Sequence, residues 1–411
     1  MKNKKALFIG YVWPEPVTTA AGHRMLQLLN AFKKENYKIT FASTAQQTRY
    51  AVTLDELGIT TEQIQLNHPS FNDFIENLQP DVVVFDRFMI EEQFGWRVLA
   101  FAPNAIRILN TEDLHSLRQT REACHKSKED FNFSKWKKNE ITKREIASIY
   151  RCDLSLIISN EETKLLKNVF DISENFLLTL PFLIDPITEE QHTNWLNFET
   201  RKDFLFVGNG KHAPNIAAIK HLKTKLWPLI KEKLPTTKLY IYGAYLPQQI
   251  TEMNKPEEGF LVKGWLADID STMQKARLNL APLLFGAGVK GKIIDGMRNG
   301  TPTLTTTIGA EGIPNFNSIY DTTPEFVKQA VRLYSNKAQW LKEQKHNLDI
   351  LHMHFSKEEL QQQLTNTLNT ISDSLEQHRS HNFIGSLLQH QTMASTKFMS
   401  KWIEEKNKTS I

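Results

Sequence analysis

The sequence predicts an α/β protein built as two parallel-sheet domains joined by a linker. Short apolar runs alternate with amphipathic helical stretches along most of the chain, the pattern of parallel strands with helices on both faces. The alternation breaks once, over residues 181–202, where Pro181, Pro186 and polar stretches read as a linker, and then begins afresh. The length of 411 residues also exceeds what one ordinary core accommodates. Together these divide the chain into a domain over 1–185, a second over 200–352, a helical segment over 353–372 and a partly helical tail over 373–411.

Taken in order, residues 6–10 read as a first buried strand, 13–22 as a loop, and 23–34 as a helix with Met25, Leu28, Leu29 and Phe32 on one side. Strands follow at 38–42, 81–85 and 105–109, and the last leads into Asn110-Thr111-Glu112-Asp113-Leu114-His115. Residues 117–150 read as one long charged helix. Residues 154–158 are a strand, after which Ser159 and Glu162 have the spacing of a capping box. In the second half, strands are expected at 203–208, 238–243, 259–264 and 278–282. Pro214 opens a helix over 214–233, and a shorter helix spans 268–276. Aspartate is favoured as a helix cap, so Asp268-Ile269-Asp270 reads as a helix start and no metal site is expected.

A formal charge of +4 is small for this length and does not point to nucleic acid as a partner. No apolar run approaches the roughly 20 residues of a membrane-crossing helix. The N-terminal lysines precede an apolar run too short for a leader peptide, which reads as the first strand. Two cysteines, Cys124 and Cys152, imply no disulfide framework and fit a reducing cytoplasm. Two basic-aromatic segments, 135–138 and 397–403, are of the kind that can lie on an anionic membrane surface; solvated helix faces are the alternative.

The most informative stretch is 286–312. An apolar strand runs into Gly286-Ala287-Gly288, a helix opens at about Val289, and Gly300 with Pro302 ends it. A glycine loop and a helix N-terminus present unpaired N–H groups and a positive dipole end to whatever lies above the strand. Lys290 and Lys292 add full positive charge on the first turn, which makes a seat for phosphate. Asp295, one turn further on, is placed to accept hydrogen bonds from a sugar hydroxyl such as those of ribose. Ligands of open parallel sheets bind beyond the carboxyl ends of strands. Gly22 and Arg24, Gly208 with Lys211 and His212, Gly264 with Trp265, and Glu112 with Asp113 and His115 all fall in such places. Each group also has a plainer reading as a turn, a cap or core.

These residues resemble the nucleotide-sugar site of glycosyltransferase family 4, the group 1 glycosyltransferases, whose two Rossmann-like domains form the arrangement called GT-B. Many members carry Gly-x-Lys-x-Lys, then Glu, then Ala/Gly-Met, Gly-x-Pro and Gly-Ala-Glu-Gly. Here the order is Val289-Lys290-Gly291-Lys292, Asp295, Gly296-Met297, Gly300-Thr301-Pro302 and Gly309-Ala310-Glu311-Gly312. The segment from Gly208 to Asn215 is similar to the family's Val-Gly-x-x-x-His-x-Pro-Asn pattern. Two positions depart: Ala287 and Asp295 stand where the family has a Glu-x7-Glu pair, and Asp is shorter by one methylene.

The resemblance covers roughly residues 4–370 and implies that a helix within 353–372 crosses back onto the first domain. It implies a retaining, metal-independent glycosyltransferase without a cofactor, which moves a sugar from a nucleotide-diphosphate sugar to an acceptor hydroxyl. Polysaccharide or glycoconjugate synthesis would be its setting, with a glycan or lipid-linked acceptor, in the cytoplasm or peripherally at the inner face of a membrane. Donor binding would fall to Gly22 and Arg24, to Gly208, Lys211 and His212, to Gly264 and Trp265, and to Gly288, Lys290, Lys292 and Asp295. Catalysis would fall to Lys292 and, on the acceptor side, to Glu112, Asp113 or His115, among which the sequence does not choose. Two other readings stay open: a nucleotide-sugar 2-epimerase of the same fold, and a non-catalytic nucleotide-sugar-binding subunit of a glycan assembly complex, prompted by Ala287.

Overall fold

The computed structural model describes residues 4–408, except the side chains of residues 392 and 393. Seven parallel strands make the first sheet: β1 (Lys5–Gly10), β2 (Lys38–Ser43), β3 (Thr60–Gln63), β4 (Val82–Asp86), β5 (Ile106–Asn110), β6 (Leu154–Ile157) and β7 (Leu177–Thr179). Five make the second: β8 (Lys202–Val207), β9 (Leu239–Tyr242), β10 (Phe260–Gly264), β11 (Ala276–Ala281) and β12 (Thr303–Thr305). Their orders are β3-β2-β1-β4-β5-β6-β7 and β10-β9-β8-β11-β12. Each chain path moves outward on one side, then returns to the other side of its starting strand. The loops leaving β1 and β4 therefore diverge, as do those leaving β8 and β11, and each sheet opens a crevice at its carboxyl edge.

The continuous apolar runs follow from burial on both faces. In β1, Ala6 and Phe8 join one core, while Leu7 and Ile9 join the core on the opposite face. The helix Lys357–Asp373 adds Leu364, Leu368 and Ile371 to the first of these cores, so it does cross back onto the first sheet. The tail then passes to the opposite face, where its last helix lies against the helices Phe88–Phe101 and Glu140–Arg151 that carry the second core. Arg379 pairs with Asp153 at 2.8 Å, Gln389 donates to the carbonyl of Arg151 at 2.9 Å, and Arg97 binds Ser400 at 3.1 Å and Glu404.

Several elements differ from expectation. β3 reads Thr-Thr-Glu-Gln and lies at the edge of the sheet, so it has no apolar pattern to find. β7 is a three-residue edge strand. The single helix expected over 117–150 is three, His115–Ser127, Phe133–Lys138 and Glu140–Arg151. Lys128 ends the first in a left-handed conformation (φ 58°), and the side chains of Asn132 and Asn139 cap the other two. Trp136 is fully buried and donates to Ser116 Oγ at 2.8 Å, so the 135–138 segment has no tryptophan to offer a membrane. The first helix starts at Ala20, three residues earlier than its apolar pattern, because Thr19 caps it. The helix expected to open at about Val289 runs Gly291–Arg298 with Lys290 at its N-cap, and Gly300 follows at φ 60°. Ser159 caps its helix, but Glu162 does not close a capping box; it reaches out of the helix altogether. Asp268 caps Ile269–Lys275 through Ser271 N–H at 3.0 Å, and Asp270 lies 3.8 Å from Arg298.

Candidate functional site

The second crevice is built from small residues. Beyond β11 the loop passes through Gly288 (φ 67°), and the helix that follows comes so close to the first domain that a Cβ on Gly291 would sit 2.6 Å from Ala20 Cβ. The ammonium of Lys290 donates to the carbonyl of Gly288. That of Lys292 donates to Asn215 Oδ1 and stands 4.8 Å from the centre of the Phe206 ring. Burial lowers the pKa of both lysines, and with the charge of Lys290 beside it Lys292 comes down to about 7. A bound anion would restore that charge, because a nearby negative charge favours the protonated amine. Asp295 lies 3.5 Å from Arg298; burial raises its carboxyl to about 6 against the pull of that arginine.

The first crevice is built from polar side chains. Asp86, at the end of β4, accepts the N–H of Tyr11 at 3.2 Å. Arg87 follows at φ 73°, ψ 158°, a region that is essentially glycine's own, and its N–H is tied to the carbonyl of Asn110 at 2.8 Å. Glu112 (φ 57°) accepts from Asn110 Nδ2 at 2.9 Å and lies 3.9 Å from Arg24. Burial pushes its carboxyl up to about 7, which Arg24 opposes and Asp86 reinforces. Asp113 is 2.6 Å from Arg118 and 3.4 Å from His115. Burial works against its charge, but Arg118, His115 and His212 outweigh it and hold the carboxyl well below the usual range. Burial lowers His115 to about 4, so a neutral imidazole sits beside an ionised carboxylate at pH 7. Glu145 fixes that segment by accepting from His115 N–H at 2.8 Å and Ser116 N–H at 3.0 Å.

The two crevices face each other directly. A Cβ on Gly288 would lie 2.9 Å from Asp113 Cβ. Glu162 Oε1 accepts from Leu114 N–H in the first domain and from Gly288 N–H in the second, both at 2.9 Å, and burial raises its carboxyl above the ordinary range. Arg121 forks the carboxylate of Glu311 with two 2.7 Å bonds and gives a third, also 2.7 Å, to the carbonyl of Gly286. On the opposite rim Tyr245 donates to Glu15 at 3.1 Å, Trp265 Nε1 to the carbonyl of Val17 at 3.2 Å, and Asn209 Nδ2 to that of Thr18 at 3.2 Å. Tyr50 packs between Tyr245 and Trp265, with ring centres 5.5 and 5.0 Å away.

Of the residues singled out in the sequence, Gly288, Lys290, Lys292, Asp113 and His115 meet in the cleft, with His212 close enough for Asp113 to feel its charge. Asp295 sits one turn below them, beside Arg298 and Asp270, and Glu112 sits behind Asp113. Arg24, expected at the donor, is fully buried; it donates to Asn110 Oδ1 at 3.3 Å and the carbonyl of Pro181 at 2.9 Å and lies beside Glu112. Gly22 has a packing reason of its own, since a Cβ there would lie 2.5 Å from the backbone of Glu15. Gly208 makes room for Asn215, whose Cγ would be 2.7 Å from an added Cβ. Lys211 stands 3.7 Å from the centre of the Tyr245 ring, on the aromatic rim that also holds Trp265, and Gly264 (φ 76°) opens onto free space. Sequence reasoning gave no site role to Asp86, Arg87, Arg121 or Glu162, and met Asn215 only as the end of a motif. The signal for the first two was two charges directly after a wholly apolar strand; Glu162 was absorbed into a capping pattern.

Residues 201–336 match a family model described as glycosyl transferases group 1. Solved structures share the architecture at low identity. A glycosyltransferase from Rickettsia africae ESF-5 is 12% identical with a TM-score of 0.66, over 91% of this chain and 100% of that one. Anabaena Alr3699/HepE, in complex with UDP and glucose, is 13% identical with a TM-score of 0.62, over 89% of this chain and 99% of that one. A variant of S. aureus TarM, in complex with Fondaparinux, alpha-GlcNAc-glycerol and UDP, is 14% identical with a TM-score of 0.56 over 72% of this chain. This chain spans 58% of the length of that TarM chain. Among curated proteins none matches. The fold is that of the GT-B glycosyltransferases: two Rossmann-like sheets facing across a cleft, with a late helix returning to the first.

Proposed function

We propose that the protein is a glycosyltransferase that takes a nucleotide-diphosphate sugar and transfers the sugar to an acceptor hydroxyl. The observation that carries this reading is the placement of Lys290 and Lys292 at a helix N-terminus beyond a glycine loop, opposite Asp113 and His115 on the other sheet. The group 1 match over 201–336 supports it independently. As the bond from sugar to diphosphate breaks, negative charge builds on the leaving group. Lys292 and the free N–H groups of the first turn meet that charge where it grows. With positive groups so placed, the reading involves no divalent metal and no cofactor. Across the cleft, neutral His115, held by Asp113, orients the acceptor hydroxyl by accepting its hydrogen bond. Asp295 binds a sugar hydroxyl of the nucleotide.

The units 1–185 and 200–352 would act as two lobes that close on the donor, held by the pairs Arg121–Glu311 and Glu162–Gly288. Retention of anomeric configuration, a glycan or lipid-linked acceptor and work at the inner face of a membrane complete the proposal. Structures of the same fold hold UDP, so uridine diphosphate sugars are the first donors to test. A thermal-shift screen finds the donor, since a ligand at about 100 times its dissociation constant adds roughly 2.7 kcal/mol. Nucleoside diphosphate release with acceptor glycans then tests transfer. A stabilising donor that is never turned over with any acceptor would sink the enzyme and favour a binding subunit, the reading that Ala287 prompts. Epimerised sugar from donor alone would favour the epimerase.

A further inference from the structure

The last helix, Phe383–Lys408, has two sides of different fate. One side, carrying Gly385, Gln389, Ser400 and Glu404, is pressed on the first domain: a Cβ on Gly385 would lie 2.1 Å from the carbonyl of Tyr150, and the other three bond Arg151 or Arg97. Phe383, Leu387, Phe398 and Trp402 are each two residues before one of these, about 200° round the helix, and so share the opposite side. That side is open and apolar. Phe383 (74% exposed), Phe398 (67%) and Met399 (66%) are the three most exposed large apolar side chains among the described residues.

We propose that this outer side docks on an anionic lipid surface, with Phe398, Met399 and Trp402 at the acyl boundary and Lys397 and Lys401 among the headgroup phosphates. From Phe383 to Trp402 the sequence has two lysines and no Asp or Glu. No ion pair joins either lysine to an acid among the described residues, and of the two carboxylates that follow, Glu404 is taken up by Arg97 and Glu405 pairs with Lys408 at 2.6 Å. A face with aromatic residues flanked by lysine suits a charged membrane interface. A protein partner fits it less well, since lysine is depleted from protein interfaces. Among the described residues no helix is long and apolar enough to cross a membrane, so the helix lies on the surface. The inference deepens the membrane side of the proposed function. Its test involves no sugar, so the two fail separately.

The test is flotation of the full-length protein with vesicles of phosphatidylcholine, with and without phosphatidylglycerol. Binding to the phosphatidylglycerol vesicles is expected, weakening as salt rises. The pair Phe398→Ser and Trp402→Ser should lower binding at least about tenfold, and Lys401→Gln about fivefold, at unchanged melting temperature. Lys135→Gln, on the segment whose tryptophan is buried, should change nothing. Flotation that does not distinguish the Phe398/Trp402 pair from the unchanged protein overturns the proposal. So does failure to float with either vesicle. A dimer in sedimentation that the same two substitutions dissolve also overturns it, in favour of a second copy of the chain.

Discussion

The two sheets open the same kind of crevice, and the chain lines them in opposite ways. Beyond β8 and β11 the lining is mainly backbone: Gly208, Gly286, Gly288 and Gly291 around a helix N-terminus, with two lysines. Beyond β1, β4 and β5 it is side chain: Asp86, Arg87, Asp113 and His115, with Glu112 behind, and Arg87 in a conformation suited to glycine. A diphosphate is a constant ligand, and N–H groups can approach it only where no Cβ intervenes. An acceptor varies in shape, and reading it takes side chains held in place by ion pairs and hydrogen bonds. Under the proposed function the second crevice would serve the invariant half of the reaction and the first its variable half.

The sharpest way to break this contrast is Lys292→Ala. Lys292 should act on the leaving group, so turnover with the true donor should fall about 100- to 1000-fold, the range for losing one donor to a developing anion. Donor binding should fall less. Lys290, which is engaged with Gly288 and feels Glu311 and Glu162, should matter less to turnover. Full turnover in Lys292→Ala together with loss in Lys290→Ala would reverse the two roles. Next in size is Asp295→Ala, which should weaken calorimetric affinity for the nucleoside diphosphate by about 1.5–3 kcal/mol, one charge-assisted bond. An unchanged affinity would take Asp295 out of the site.

The same contrast explains what the sequence shows. Backbone-built sites need particular residues at particular spacings, so the run from Gly286 to Gly312 is legible as a candidate phosphate seat before any fold is known. Strands buried on two faces were equally legible, as at β1 and β4, while β3 was not, because an edge strand of Thr-Thr-Glu-Gln carries no burial signal. Side-chain sites depend on tertiary distance. Nothing near Glu162 in the sequence announces Gly288, 126 residues away, and nothing near Arg121 announces Glu311, 190 residues away. Arg24 has the right position in sequence for a donor contact, but helix Ala20–Lys34 turns it into the core.

A third test follows from charge. Burial and Lys290 bring Lys292 to about 7 in the unliganded protein. A diphosphate favours its protonated form, so binding takes up a proton above that pH. Affinity should therefore be nearly level below pH 7 and fall by up to about tenfold per unit from pH 7.5 toward 9, until the raised pKa of the complex is passed. Lys292→Arg stays charged throughout and should flatten the profile. An unchanged slope in that variant would assign the proton to another group.

The smallest expected effect, a difference in stability between two variants, probes the first crevice. Arg87 holds φ 73°, ψ 158° because its N–H is tied to Asn110 and its side chain lies against Asp86 and 5.1 Å from the Tyr11 ring centre. Such a conformation costs a non-glycine residue about 1–3 kcal/mol. Arg87→Ala removes the side chain and keeps the strain. Arg87→Gly removes both, at an entropic cost of about 0.5–1 kcal/mol in the unfolded chain. The glycine variant should therefore be more stable than the alanine variant by about 1 kcal/mol in urea unfolding. Both should lose acceptor-dependent transfer while keeping donor affinity, because strain held at a strand end is then serving the position of a side chain and not the fold. Equal stability of the two variants would mean that the backbone at Arg87 is relaxed, and the first crevice would lose its claim to be held under strain for a ligand.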